Sequence, residues 1–298
     1  MSADANPPVA LTIAGSDSGA GAGIQADLKA MGALGVLATT ALTTVTAQST
    51  AAVTGVHHVP VAFVELQITT VLADLPVAAV KTGMLATADI VELVGRLAAE
   101  GMLPNLVVDP VMVSSSGHRL LEDGGVDAYR RHLLPRALVA TPNLWEAALL
   151  AGLDRADLAG VDGMAEAARR IHRLGPRWVL VKGGHLDGVE AADRGVPPTE
   201  VPDVLFDGEE ITVVTAPWVD TPNTHGTGCS LSAAIAARLA SGTGVAQAVA
   251  DAKAFVNGAL VGGAGWRLGA GHGPIDHLGW SGRGAGTTSS GTTAAGSS

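Results

Sequence analysis

The chain reads as an α/β protein whose central sheet is mostly parallel and carries helices on both faces. Three observations predict this. Short β-branched runs alternate with stretches of three- and four-residue apolar spacing along most of the length. Nearly every strand-like run ends in a turn that carries the chain's odd residues: AGSDSGAGAG, Gln48, KTGM, DPVM, TPN and KGGH. A late stretch, Asp220 to Ile235 (DTPNTHGTGCSLSAAI), passes from small polar residues through two glycines into an Ala-rich helical pattern. Ligands of parallel sheets bind beyond the carboxyl ends of the strands, so these turns predict one crevice that the late glycine loop reaches.

In chain order, residues 1–8 are a polar leader and Val9–Ala14 is a first strand ending in the glycine-rich turn. Ile24–Leu34 has helical spacing, and the Thr-rich Val36–Ala47 is a strand ending at Gln48, followed by a loop. Helix Val61–Leu75, strand Val77–Lys81, helix Ala88–Glu100 and strand Leu106–Val108 continue the alternation. Helix Gly125–Leu133, strand Leu138–Thr141, helices Asn143–Leu150 and Met164–Leu174, and strand Trp178–Lys182 follow. Gly188 to Pro202 reads as a surface insertion, and Asp203–Phe206 with Ile211–Thr215 as a hairpin around Asp207-Gly208. The glycine-loop helix and a last helix, Val245–Val261, close one domain spanning 9–280. Residues 281–298 are Gly, Ser and Thr apart from Arg283 and three alanines, the composition of a disordered tail.

Composition narrows the function classes. A net charge of −10 without a basic cluster argues against a nucleic-acid or anionic-membrane partner. A single cysteine excludes an internal disulfide and suits a reducing cytoplasm. The N-terminus has neither the basic nor the apolar region of a signal peptide. Ala30 to Val64 lacks Asp, Glu, Lys and Arg, but its seven threonines and paired His57 and His58 favour a buried strand and loop over a membrane span.

The late loop carries the chemistry. Glycines flanking Thr227 ahead of a helix leave unpaired N–H groups that wrap an anion, so Gly226, Thr227, Gly228 and Cys229 predict a phosphate site. No Walker sequence occurs. Cys229 falls in the first helical turn, where the dipole is expected to lower a thiol pKa. Lys182, at a strand end before two glycines, suits a phosphate. Asn143 and Glu146 lie one turn apart, and Glu146 with Asp109 offers two carboxylates for Mg²⁺ through water. Gln48 presents a paired donor and acceptor that match an aminopyrimidine edge, while Met84 and Val111 are crevice walls or core. Gly21 to Ala26 matches a dinucleotide fingerprint variant. It lacks the acid about 20 residues on and does not follow its strand directly.

Together, IAGSDSGAGAGIQADLKA, ALTTVTAQST, KTGMLA, DPVMV, TPNLWEA, VKGGHL, NTHGTGCSLSAAIA and GHGPIDH resemble the hydroxymethylpyrimidine/phosphomethylpyrimidine kinases of thiamin biosynthesis, in the ribokinase superfamily. The resemblance runs from about Val9 to His277. It implies a three-layer α/β/α ribokinase-like fold, usually a homodimer, that uses ATP and Mg²⁺ to phosphorylate 4-amino-5-hydroxymethyl-2-methylpyrimidine and then its monophosphate. It further implies that Gly15, Asp27, Gln48, Met84 and Val111 form the pyrimidine pocket with Ala22 beside it. Asp109 and Glu146 would serve the metal–water network, Lys182 and Asn143 the ATP side, and Gly226, Thr227 and Gly228 the anion hole. Cys229 stands where sugar-kinase relatives keep an Asp base. A pyridoxal or pyridoxine kinase, and a non-catalytic sensor that keeps the crevice, are the alternatives. Ser115, Pro222 and Trp218 stand where the family often has Lys or Arg, which predicts weaker retention of the phosphorylated second substrate.

Overall fold

The computed structural model describes residues 6–112, 120–184 and 199–283. Nine strands form one sheet in the order β3-β2-β1-β4-β5-β6-β7-β8-β9. β1 (Val9–Asp17), β2 (Leu37–Gln48), β4 (Val77–Thr82), β5 (Val107–Val108), β6 (Val139–Ala140) and β7 (Trp178–Lys182) run parallel. β3 (Val53–His58), β8 (Glu200–Phe206) and β9 (Ile211–Pro217) are antiparallel to their neighbours. Their hairpin connections allow that, whereas a parallel pair needs a crossover.

Period-two alternation sorts the strands' side chains onto two cores. Leu11, Ile13, Val80, Val108, Val179 and Val181 face one side. There they pack with α2 (Val61–Asp74), α3 (Ala88–Ala99), α5 (Leu144–Ala151) and α6 (Gly160–His172). Ala10, Ala79, Val107, Val139 and Leu180 face the other. α1 (Gly23–Ala33), α7 (Thr227–Ala240) and α8 (Val245–Gly263) cover that face, the first two lying close through alanines. The result is the three layers expected.

Three elements depart from the expected boundaries. The residues after Gln48 turn back as β3, pairing Thr46 with Val56 and Thr44 with His58, where a loop was expected. Upstream of that pairing the Gln67 side chain substitutes for a strand, bonding Leu42 N at 2.9 Å and Leu42 O at 3.0 Å. The helix expected over 125–133 is α4 (Gly125–Ala128) running into a π-turn at Tyr129–Leu133. A last helical turn, α9 (Trp280–Arg283), carries the folded chain beyond residue 280, with Asp276 accepting from Trp280 N and Ser281 N. The remaining tail, most of the Gly188–Pro202 insertion and Ser115 lie outside the described residues.

The strand order reverses between β1 and β4, since the chain leaves β1 for β2 on one side and returns to β4 on the other. This switch point opens a crevice at the strands' carboxyl ends. Gly15 of β1 and Met84 after β4 meet across it: a Cβ on Gly15 would stand 2.4 Å from Met84 Cε.

Candidate active site

α7 begins where the glycine loop presses on the β1–α1 turn. Gly226 is its N-cap at φ +86°, and a Cβ there would lie 1.9 Å from Gly21 O, so no side chain fits. Gly21 is equally tight, its virtual Cβ falling 2.2 Å from the His225 ring. Among the described residues the N–H groups of Gly226, Gly228 and Cys229 have no hydrogen-bond partner. Thr227 N donates to Thr224 O at 3.2 Å. The expected anion hole therefore has three free N–H groups at a helix start, and Thr227 contributes its place in the turn.

The loop is braced from behind. Ser230 Oγ donates to Gly226 O at 2.8 Å, which commits its proton. His277 Nε2, 2.7 Å from the same oxygen, is then the donor, leaving the buried Nδ1 without a partner. Desolvation, helped by the charge of Lys29, pushes the His277 pKa down to about 4, so the ring is neutral. Asn223 ties the loop to the end of α8 through Gly263 O at 2.8 Å and Trp266 O at 3.1 Å.

Beside the loop sits a buried charge cluster. Asp109, 1% exposed, accepts from Lys182 Nζ at 2.8 Å, Thr141 Oγ1 at 3.3 Å and Ser232 Oγ at 3.1 Å. Burial alone would lower the Lys182 pKa, but Asp109 and Glu146 outweigh it and keep the ammonium charged. A Cβ on Gly228 would be 3.3 Å from Lys182 Nζ, so the ammonium borders the anion hole. Glu146 closes a capping box on α5, accepting Asn143 N at 2.8 Å and Met112 N at 3.4 Å, while Asn143 Oδ1 caps Trp145 N and Glu146 N. Burial and nearby Asp109 push its pKa up to about 7 despite Lys182.

Cys229 is half-buried and faces a second cluster. Desolvation pushes its thiol up to about 11, with Asp27 and Asp109 adding and Lys81 opposing. The shift runs opposite to the lowering expected at a helix start: loss of water around the thiol outweighs Lys81 and the Gly23 N–H that it accepts. Asp27 also differs from expectation. It is fully buried, with its oxygens bonded to Lys81 Nζ at 2.8 and 2.9 Å and to Thr12 Oγ1 at 2.6 Å, so it holds Lys81 under the crevice rather than lining it.

Gly15 and Met84 meet at the end of β1, and Gln48 ends β2 beside it. Asp17 organises the glycine-rich turn, accepting Gly19 N, Gly21 N and Ala22 N at 2.8 to 3.0 Å and His225 Nε2 at 2.9 Å. Burial would raise its pKa, but His225 and these N–H groups hold it below the usual range. Gln48 lies 3.3 Å from His225 Nε2. Half-buried Val111 follows Asp109, its N–H bonded to Asp109 O. Met84 also lines a cavity of about 570 Å³ with Val56, His58, Ala86 and Leu121. Trp218 is half-buried at the end of β9 and Pro222 is exposed.

Sequence reading missed Lys81, Asp17, Ser232 and His277. A lysine closing an apolar strand signals a buried partner, and Asp27 is the only acid of α1, so Lys81 was within reach. Only the tertiary contacts give His225 and His277 their partners.

The model of the phosphomethylpyrimidine kinase family matches residues 17–276. The chain belongs to that family. The hydroxymethylpyrimidine/phosphomethylpyrimidine kinase of Streptomyces coelicolor is 48% identical over 277 residues, covering 92% of this chain and 95% of the relative. Among solved structures, an ADP complex of Bacillus subtilis pyridoxal kinase has a TM-score of 0.80 at 39% identity, covering 91% of this chain and 98% of its own. The phosphomethylpyrimidine kinase of Clostridium difficile has 0.71 at 37%, covering 85% and 99%. This phosphomethylpyrimidine kinase family member is thus an enzyme, a kinase with the ribokinase-like fold. No helix among the described residues is long and apolar enough to cross a membrane.

Proposed function

We propose that the protein uses MgATP to phosphorylate 4-amino-5-hydroxymethyl-2-methylpyrimidine and then its monophosphate, supplying the diphosphate for thiamin biosynthesis. The observation that supports this is Gln48 lying 3.3 Å from His225, the residue that leads into a three-N–H anion hole bordered by Lys182. An amide suits an aminopyrimidine edge, and the loop suits a transferring phosphoryl group.

Gly15, Ala22, Gln48, Met84 and Val111 hold the ring and aim its hydroxymethyl oxygen at the loop. The N–H groups of Gly226, Gly228 and Cys229 stabilise charge on the transferring group, and Lys182 neutralises the nucleotide phosphates beside Asn143. Asp109 and Glu146 would hold Mg²⁺: burial and the charge of Asp109 push the Glu146 pKa up, and a nearby cation would offset both. The ion would supply charge neutralisation, held through water because no set of three His, Cys, Asp or Glu converges among the described residues.

With burial pushing its thiol up to about 11, Cys229 is mostly protonated at neutral pH. Only its minor thiolate form can take the hydroxyl proton, becoming the neutral thiol as the bond to phosphorus forms. Loose phosphoryl transfer asks little more of a base. The enzyme works as a cytoplasmic homodimer, which sedimentation at a mass of twice 29.7 kDa would support and a monomer would refute.

A pyridoxal kinase is the competing reading, given the fold match to the Bacillus subtilis enzyme. Steady-state competition between the pyrimidine and pyridoxal separates the two: kcat/KM should favour the pyrimidine by at least about tenfold, and the reverse preference sinks the proposal.

A further inference from the structure

The hydrogen-bond inventory around Gln48 determines which way its amide faces. The amide nitrogen lies 3.3 Å from His225 Nε2 and the amide oxygen 3.2 Å from Thr46 Oγ1. Each neighbour has a stronger commitment. Thr46 has one hydroxyl proton, and Ser16 O takes it at 2.7 Å, so the hydroxyl turns lone pairs toward Gln48. His225 Nε2 sits 2.9 Å from Asp17 Oδ2, an oxygen that two backbone N–H groups mark as an ionised acceptor, so Nε2 carries a proton. A donor then faces the amide nitrogen, and an acceptor faces the amide oxygen. Both contacts are like with like. A half-turn about the last side-chain bond of Gln48 exchanges two ends that are nearly equal in shape, gives Thr46 Oγ1 a donor, and sets the amide oxygen beside the Nε2 proton, which it then shares with Asp17.

We propose that Gln48 works in this turned orientation, its oxygen sharing the His225 Nε2 proton with Asp17 and its nitrogen donating to Thr46 Oγ1, and that Thr46 and His225 are specificity-determining positioning residues. One lone pair and one N–H of the amide remain for a ligand, in an order that the two neighbours set. A freely turning amide would accept a 4-amino ring edge and its 4-oxo counterpart, whose donor and acceptor are exchanged. A locked amide accepts one and leaves the other with two mismatched contacts. His225 directly precedes Gly226, so the same imidazole that orients the ring reader is also attached to the anion hole. Asp17 extends the lock to the glycine-rich turn. Only the identity of the ring rests on the pyrimidine reading above; the amide orientation stands independently of it.

Neutron diffraction from deuterium-exchanged crystals of the full chain tests the orientation directly. Two deuterons on the Gln48 end facing Thr46, and one on His225 Nε2, support the proposal. Deuterons on the end facing His225 overturn it, whatever the enzyme phosphorylates. Kinetics of Thr46→Val with 4-amino and 4-oxo hydroxymethylpyrimidines tests the consequence. Valine keeps the shape and removes the acceptor, so the preference for the amino ring should fall by about tenfold, through KM rather than kcat. A preference that survives the substitution overturns the role of Thr46. Failure to phosphorylate either ring would refute the pyrimidine reading and leave the neutron result to decide the amide.

Discussion

At the scale of single residues, Cys229 and Lys81 show how burial redirects chemistry that sequence suggests. A cysteine at a helix start reads as a ready thiolate, but burial raises its pKa to about 11. Its action as a base is therefore confined to the minor thiolate form. Cys229→Ala should lower kcat by about 10²–10³ with little change in KM, and Cys229→Asp should retain more activity than Ala. Full kcat in the alanine variant, measured by coupled ADP release, would reduce the cysteine to packing. Lys81 is fully buried with its ammonium bonded to Asp27, whose charge outweighs burial and lifts its pKa above the usual lysine range. Removing one partner strands the other in the interior. Lys81→Met should cost about 3–5 kcal/mol in urea unfolding, and adding Asp27→Leu should restore part of it. Equal losses in the single and double variants would mean the pair is not coupled.

At the scale of elements, the catalytic loop depends on the segment after α8. His277 donates to Ser230, which holds Gly226 O, while Asn223 reaches back to Gly263 and Trp266. The brace has a predictable pH dependence. The His277 pKa is near 6.5 in the unfolded chain and about 4 when folded, so below 6.5 the unfolded chain binds the extra proton. Its contribution is fully present above about 6.5 and is lost as pH falls through 4. Glutamine at this position keeps a donor and does not titrate. The Tm of wild type should thus fall more steeply between pH 7 and pH 4 than that of His277→Gln, by on the order of 3 kcal/mol in stability. Parallel curves would show that the imidazole is not held neutral. This brace was invisible in the sequence, because Ser230 and His277 are far apart in the chain and no periodicity links them. β3 was missed because its half-exposed, Gly- and His-containing run gives no buried-strand signal. β1, β4 and β7 were legible because both faces are covered and their residues are nearly all apolar.

At the scale of the whole molecule, the layer order and the crevice were legible together. The turns that end β1, β2, β4, β5, β6 and β7 carry the odd residues, and among them Gly15 meets Met84 while Asp109 holds Lys182. What stayed hidden was which of them are committed to one another: Asp27 to Lys81, Asp109 to Lys182, Gln48 to His225. Commitments of that kind depend on side-chain distances that spacing along a chain does not encode. The central claim is that this one crevice transfers phosphate twice, to a pyrimidine alcohol and then to its monophosphate. Mass spectrometry of products formed from ATP, Mg²⁺ and 4-amino-5-hydroxymethyl-2-methylpyrimidine, with pyridoxal in the same mixture, tests it most directly. The account predicts that the pyrimidine monophosphate appears first and the diphosphate follows, with pyridoxal largely untouched. Pyridoxal phosphate accumulating while the pyrimidine remains unphosphorylated would contradict it.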